Sequence, residues 1–185
     1  MLSSLKRAGG AIVAFGHGTA SEERIAALLC GAHVRLLIDV RTAPGSRRNP
    51  HVARAEMQRW LPEHGVDYRW DKRLGGWRKA SPDAPDLALR NQSFAGYAEH
   101  MRTPEFRAAI AEMLTEATAQ QVAIMCAETV PWRCHRWMIS DFLTLARNVP
   151  VLHLMHDGRL SQHEPSVMAR LRSDGLLVYD AGQRG

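Results

Sequence analysis

The sequence predicts an α/β fold, a single domain with a largely parallel sheet flanked by helices. Apolar runs of strand length recur at residues 11–15, 34–40, 122–125 and 149–155. Between them lie longer segments whose apolar residues repeat at helical spacing, the alternation expected of strands joined by crossover helices. The 185 residues suit one domain with a full core and are short for two, and no internal repeat, low-complexity tract or linker divides them.

The first strand, residues 11–15, runs into Gly16-His17-Gly18-Thr19, a glycine-flanked turn. Ser21 caps the following helix, Glu22 and Glu23 occupy its first turn, and Ile25, Leu28 and Leu29 form its apolar stripe. Gly31 closes that helix, and Cys30 at its end reads as a small buried hydrophobe. The second strand, residues 34–41, ends in the charged pair Asp39 and Arg41. A turn-rich basic loop over residues 42–50 leads to a helix at about 53–61, with Met57, Trp60 and Leu61 inward.

Residues 66–70 form a weaker strand that leads to Leu74-Gly75-Gly76. Residues 77–91 turn polar and carry prolines, which predicts a surface loop or lid. Phe94, Tyr97, Ala98 and Met101 mark one helix. Thr103 followed by Pro104 starts another, with Phe106, Ile110, Met113 and Leu114 buried. The strand at 122–125 enters Cys126-Ala127-Glu128 and, after Pro131, Cys134-His135-Arg136. Cys134 is expected in the first turn of a helix carrying Met138, Ile139, Phe142 and Leu145. A strand at 149–155, a turn at Asp157-Gly158, a short helix near 166–172 and a tail at 176–179 complete the expected order.

Composition narrows the function classes. The apolar fraction of 45% is ordinary for a globular protein, and no apolar run reaches the roughly 18 residues that span a bilayer. The basic N-terminal stretch precedes an apolar run too short for a secretory signal. Three cysteines do not make a disulfide framework, so a reducing, cytoplasmic setting without membrane partners is expected. Residues 41–90 hold eleven Lys/Arg against six Asp/Glu, which accounts for the whole net charge of +5. Such a stretch implies an acidic partner, a phosphate-bearing small molecule or nucleic acid, unless it is simply solvated surface.

Parallel strands place their carboxyl ends on one edge, where ligands of open α/β sheets bind. His17, Asp39-Val40-Arg41, Gly75-Gly76 and Cys126-Ala127-Glu128 should therefore converge. A cysteine beside a helix N-terminus and arginines can be a nucleophile or a buried packing residue, and this applies to Cys126 and Cys134 alike. Glu128, His17 and His135 are candidate proton carriers, although Glu128 could instead pair with Arg133 or Arg136. Asp39 could orient a histidine or lock Arg41. Ser46, Arg47 and Arg48 can clamp a phosphate or carboxylate, with Arg41 and Arg136 as further anion-holding groups. Cys126, Cys134, His135 and His17 are ligand types, but the eight-residue cysteine spacing matches no common zinc knuckle. His153, His156 and His163 form a second, weaker group. The sequence thus assigns no metal ligand, no cofactor and no oligomeric state.

Taken together, these motifs resemble the family known only as domain of unknown function 488. The likeness rests on Gly16-His17, Asp39-Val40-Arg41 with Pro44 and Ser46-Arg47, Leu74-Gly75-Gly76, the run from Phe94 through Tyr97 and Met101 to Phe106, and Cys126-Ala127-Glu128 with Pro131 and Cys134-His135-Arg136. It covers about residues 11–160. Gly18 departs from the pattern, which has serine after the histidine. The resemblance implies an α/β fold and a pocket lined by these motifs, with Gly75, Gly76 and Tyr97 on the substrate side, but no reaction. A looser similarity to rhodanese-like domains rests on Asp39-Val40-Arg41 and a cysteine at a strand end. The expectation is an enzyme, a cysteine-dependent transferase or hydrolase, acting on an anionic substrate. The alternative is a non-catalytic module that binds an anion or nucleic acid.

Overall fold

The computed structural model describes residues 10–181; the basic N-terminal stretch read above lies largely outside them. Five strands run parallel: β1 (Ile12–Gly16), β2 (Leu36–Asp39), β3 (Asp67–Trp70), β4 (Val122–Cys126) and β5 (Val151–Leu154). A sixth, β6 (Leu160–Gln162), adds antiparallel to β5, giving the order β3-β2-β4-β1-β5-β6. All three residues of β6 are exposed, so no apolar signal marked this edge strand in the sequence.

The strand sequences are near-continuous apolar runs because both faces of the sheet are covered. On one face Val13, Phe15, Leu37, Ala123 and Met125 pack on α1 (Glu22–Gly31) and α2 (Arg54–Trp60). Their neighbours Ile12, Ala14, Ile38, Ile124 and Cys126 face α3 (Gln92–Met101), α4 (Pro104–Ala117) and α5 (Arg136–Arg147). The helix starts are those the side chains dictate. Ser21 accepts a hydrogen bond from Arg24 N, Thr103 from Phe106 N, and Asn91 from Ser93 N and Phe94 N. Cys30 departs from expectation: it lies exposed on the side of α1 opposite the stripe of Ile25, Leu28 and Leu29.

The chain after β6 also departs from expectation. Residues 166–172 do not form a helix; β7 (Ala169–Leu171) and β8 (Leu177–Tyr179) make an antiparallel hairpin. Asp174 caps its turn through Leu176 N, and Gly175 takes a φ of 78°. Leu177 and Tyr179 of the hairpin bury against the helical face of the domain. This hairpin also fastens the polar segment read as a lid. Asp86, 2% exposed, accepts from Tyr179 N at 3.0 Å and pairs with Arg102 at 2.6 Å, while Ala88 N donates to Tyr179 O at 3.0 Å.

Beneath the hairpin lies a chain of buried polar groups. Tyr179 donates to Asp141 Oδ2 at 2.8 Å, and His163 Nε2 bonds Asp141 Oδ1 at 2.9 Å. His163 Nδ1 in turn meets His153 Nε2 at 2.9 Å, and His153 stacks on Trp137 with ring centroids 5.2 Å apart. His156 is not part of this chain, since its Nε2 reaches Gly16 O at 2.7 Å.

Burial, with the nearby His163 and Arg136, holds the pKa of His153 down at about 4. An unfolded histidine titrates near 6.5, so between these values the unfolded chain binds the extra proton and stability is lost as pH falls. Urea unfolding should show a decline on the order of 2 kcal/mol between pH 6.5 and pH 4. In His153→Gln, which keeps a donor for His163 but cannot titrate, that part of the slope should vanish.

Candidate active site

The carboxyl ends of β2, β4 and β1 lie side by side and in register: Asp39 pairs with Met125, and Gly16 with Cys126. The ladder continues past the strands, with His17 N donating to Cys126 O at 3.0 Å and Gly18 N to Ala127 O at 2.9 Å. Gly16 permits this closeness, because a Cβ there would sit 1.9 Å from Glu128 O. Three loops are thereby held around a cavity of about 680 Å³.

A buried ion pair shapes one wall. The Asp39 carboxylate, fully buried, takes Arg41 Nε at 2.9 Å and Nη2 at 2.5 Å, the Arg41 backbone N–H at 3.1 Å and the Tyr68 hydroxyl at 2.5 Å. Arg41 Nη2 also donates to Val52 O, and Nη1 faces His17 Nε2 at 3.2 Å. Arginine can only donate, so His17 Nε2 is the acceptor, and Nδ1 carries the proton given to Gly18 O at 2.9 Å. Burial and the Arg41 charge lower the His17 pKa, in keeping with that neutral ring.

Two thiols and an imidazole make the floor. A 3₁₀ turn, Pro131–Arg133, follows β4 and brings Cys134 back beside Cys126. Cys134 has extended backbone and His135 is the N-cap of α5, so Cys134 precedes the helix rather than lying in its first turn. His135 Nε2 bonds Val40 O at 2.8 Å. A carbonyl only accepts, so in the neutral ring Nδ1 bears the lone pair, aimed at Cys126 Sγ (3.9 Å) and Cys134 Sγ (3.7 Å). Hydrogen bonding from the Cys134 thiol holds the Cys126 thiol well below its usual range despite burial, with His135 adding to the effect. The same bond and burial push Cys134 up.

The opposite rim is basic. Ser46, Arg47 and Arg48 line the cavity; Ser46 Oγ accepts from Asn49 N at 2.9 Å and so shapes the turn. Arg47, Arg48 and Arg133 are exposed and pair with no carboxylate among the described residues. Glu128 is exposed on the cavity wall. It does not pair with Arg133 or Arg136; Arg136, 1% exposed, instead donates to the Glu128 and Thr129 backbone carbonyls.

Of the residues singled out from sequence, His17, Arg41, Ser46, Arg47, Arg48, Gly76, Cys126, Glu128, Cys134 and His135 line the cavity. Asp39, Gly75, Tyr97 and Arg136 stand behind it as supports. Tyr97 is fully buried, donates to Leu74 O at 2.8 Å and sets its ring edge-on to His135 at 5.0 Å. Sequence reasoning missed Trp77, Asn91 and Ser93, which together with Phe94 add polar and aromatic surface to the mouth. The cap position of Asn91 at the start of α3 was the one signal that a helix end points there.

The family model described as domain of unknown function DUF488 matches residues 21–143. No curated protein and no solved structure matches the chain, so the looser likeness to rhodanese-like domains has no counterpart among them.

Gly76 lies against the His135 ring: a Cβ there would stand 2.4 Å from Nδ1 and 2.6 Å from Cγ. The ring cannot retreat, because Tyr97 lies against it and Val40 O pins Nε2. Gly76→Ala should cost about 2 kcal/mol in denaturant unfolding, the usual scale of overpacking, whereas Gly45→Ala, with open space around it, should change little.

Proposed function

From a chain that belongs to the DUF488 family, whose description is a domain of unknown function, we propose an enzyme acting on a phosphate-bearing or otherwise anionic substrate of the nucleotide or nucleic-acid class. One observation carries this reading. A buried cluster of two thiols and an imidazole opens at the floor of a cavity whose rim holds three arginines that have no carboxylate partner among the described residues.

The rim and the floor have separate tasks. Arg47, Arg48 and Arg133 offer planar donor forks suited to phosphate or carboxylate oxygens, and their charge attracts such groups from solution. Trp77 and Phe94 at the mouth supply flat apolar surface on which a base can stack. Arg41 and Arg136 act indirectly, since their guanidinium groups are engaged with Asp39, Val52, Glu128 and Thr129. The chemistry is cysteine-dependent, transfer or hydrolysis, with Cys126 required at the floor. His17, Glu128 and His135 are the groups on the cavity wall able to move protons.

Two measurements test the two halves. In a screen of phosphomonoesters, nucleotides and short oligonucleotides, Cys126→Ser should keep the circular dichroism spectrum of the parent and lose turnover. Equal turnover in this variant rules out a cysteine-dependent reaction; binding without turnover in the parent would favour the non-catalytic module.

Arg47→Ala/Arg48→Ala should retain the fold and weaken oligonucleotide affinity about tenfold or more, flattening the salt dependence by about two counterions. Unchanged affinity and slope would remove the basic loop from the binding site.

A further inference from the structure

The geometry points to a transition-metal site of the zinc class at the cavity floor, held by Cys126 Sγ, Cys134 Sγ and His135 Nδ1, with its fourth position open to the cavity. This rests on the reading of the cavity as the active site and gives its floor a chemical identity.

Distance is the first support. The three atoms lie within 4.8 Å of one another, with sulfur-to-nitrogen separations of 3.9 and 3.7 Å. Zinc bonds of about 2.3 Å to sulfur and 2.0–2.1 Å to nitrogen, at tetrahedral angles, place those atoms roughly 3.6 Å apart and the two sulfurs roughly 3.8 Å apart. The protein therefore already approximates three corners of such a tetrahedron.

The orientation of His135 is the second. Its Nε2–H donates to Val40 O, the outer-shell bond that fixes the ring nitrogens of metal-ligating histidines, and leaves the Nδ1 lone pair facing both sulfurs. Both sulfurs stand at nearly equal distance from that one lone pair, which can accept a single thiol proton, so the second thiol is left to bond the first sulfur. A divalent ion bound by two thiolates and a neutral imidazole satisfies all three groups and leaves the buried cluster without net charge.

Openness is the third. Each of the three residues lines the cavity, and among the described residues no fourth protein ligand closes the site. His17, the other imidazole lining the cavity, uses Nδ1 on Gly18 O and Nε2 on Arg41. Three protein ligands with a vacant corner mark a catalytic rather than a structural zinc site. A water or a substrate oxygen would take that corner, and Glu128 is the one carboxylate on the cavity wall among the described residues.

The test needs no substrate. Protein purified under reducing conditions and reconstituted with zinc should carry about one equivalent per chain. Cobalt substitution should give the thiolate-to-metal charge-transfer band and the strong visible bands of tetrahedral coordination. Cys126→Ser, Cys134→Ser and His135→Ala should each weaken zinc binding about a hundredfold or more, while His17→Ala should leave it intact.

Should a variant misfold, the parent still decides the matter: zinc should protect Cys126 and Cys134 from alkylation, with exposed Cys30 reacting as before. Substoichiometric zinc, a cobalt spectrum without charge transfer, or equal alkylation with and without zinc would overturn the proposal. Oligonucleotide affinity of the metal-free protein, which reads the rim and not the floor, shows separately whether the cavity binds an anion.

Discussion

The position of β4 between β2 and β1 is the constraint on which the cavity depends. The connection from β1 to β2 leaves a gap in the sheet that β4 fills more than eighty residues later in the chain. Its parallel ladders to both neighbours set Gly16 beside Cys126 and Asp39 beside the preceding Met125. Because side chains alternate along a strand, a slip of one residue would turn Cys126 from the α5 face to the α1 face and remove it from Cys134 and His135. The meeting of two thiols and an imidazole at the cavity floor is thus a consequence of sheet register.

Buried arginines then hold the loops that emerge from these strands. Charges out of water are costly unless paired; Arg41 meets a carboxylate, whereas Arg136 meets two carbonyls and its buried Nε has no partner among the described residues. Arg41 is bound by Asp39 and Val52, and so ties β2 to the basic loop and to His17. Arg136 binds two successive carbonyls of the loop after β4, which fixes the path from Cys126 to Cys134. Arg47 and Arg48, only a few residues from Arg41, remain exposed at the rim. Around this cavity arginine ties loops together where it is buried and lines the rim as an exposed charge where it is not.

The carboxyl-terminal part supports the same site from behind. Asp141 on α5 accepts from Tyr179 of β8 and bonds His163, so the helix whose N-cap is His135 is anchored along its length by the hairpin. Tyr97 adds a second brace by gripping Leu74 O and pressing on the His135 ring. The imidazole is fixed at Val40 O, Gly76 and Tyr97 together, which leaves its lone pair in one orientation.

The sequence by itself determined the five parallel strands, the five helices and the edge of the sheet at which the cavity opens. Those properties follow from local periodicity and capping: apolar runs such as residues 122–125 suit a strand covered on both faces, and Ser21 or Thr103 can satisfy free N–H groups at once. It also selected ten of the cavity-lining residues, because polar groups just past parallel strands share an edge. Tertiary structure alone decided the rest. Whether Cys126 meets Cys134 depends on a 3₁₀ turn across an eight-residue spacing with no common motif. Which arginine is free depends on where Asp39 and the Glu128 carbonyl lie. The final hairpin formed where a helix was expected because Tyr179 and Leu177 find burial on α3 and α5, a contact that no local pattern encodes. Periodicity fixes the face a side chain occupies; only packing fixes what it touches there.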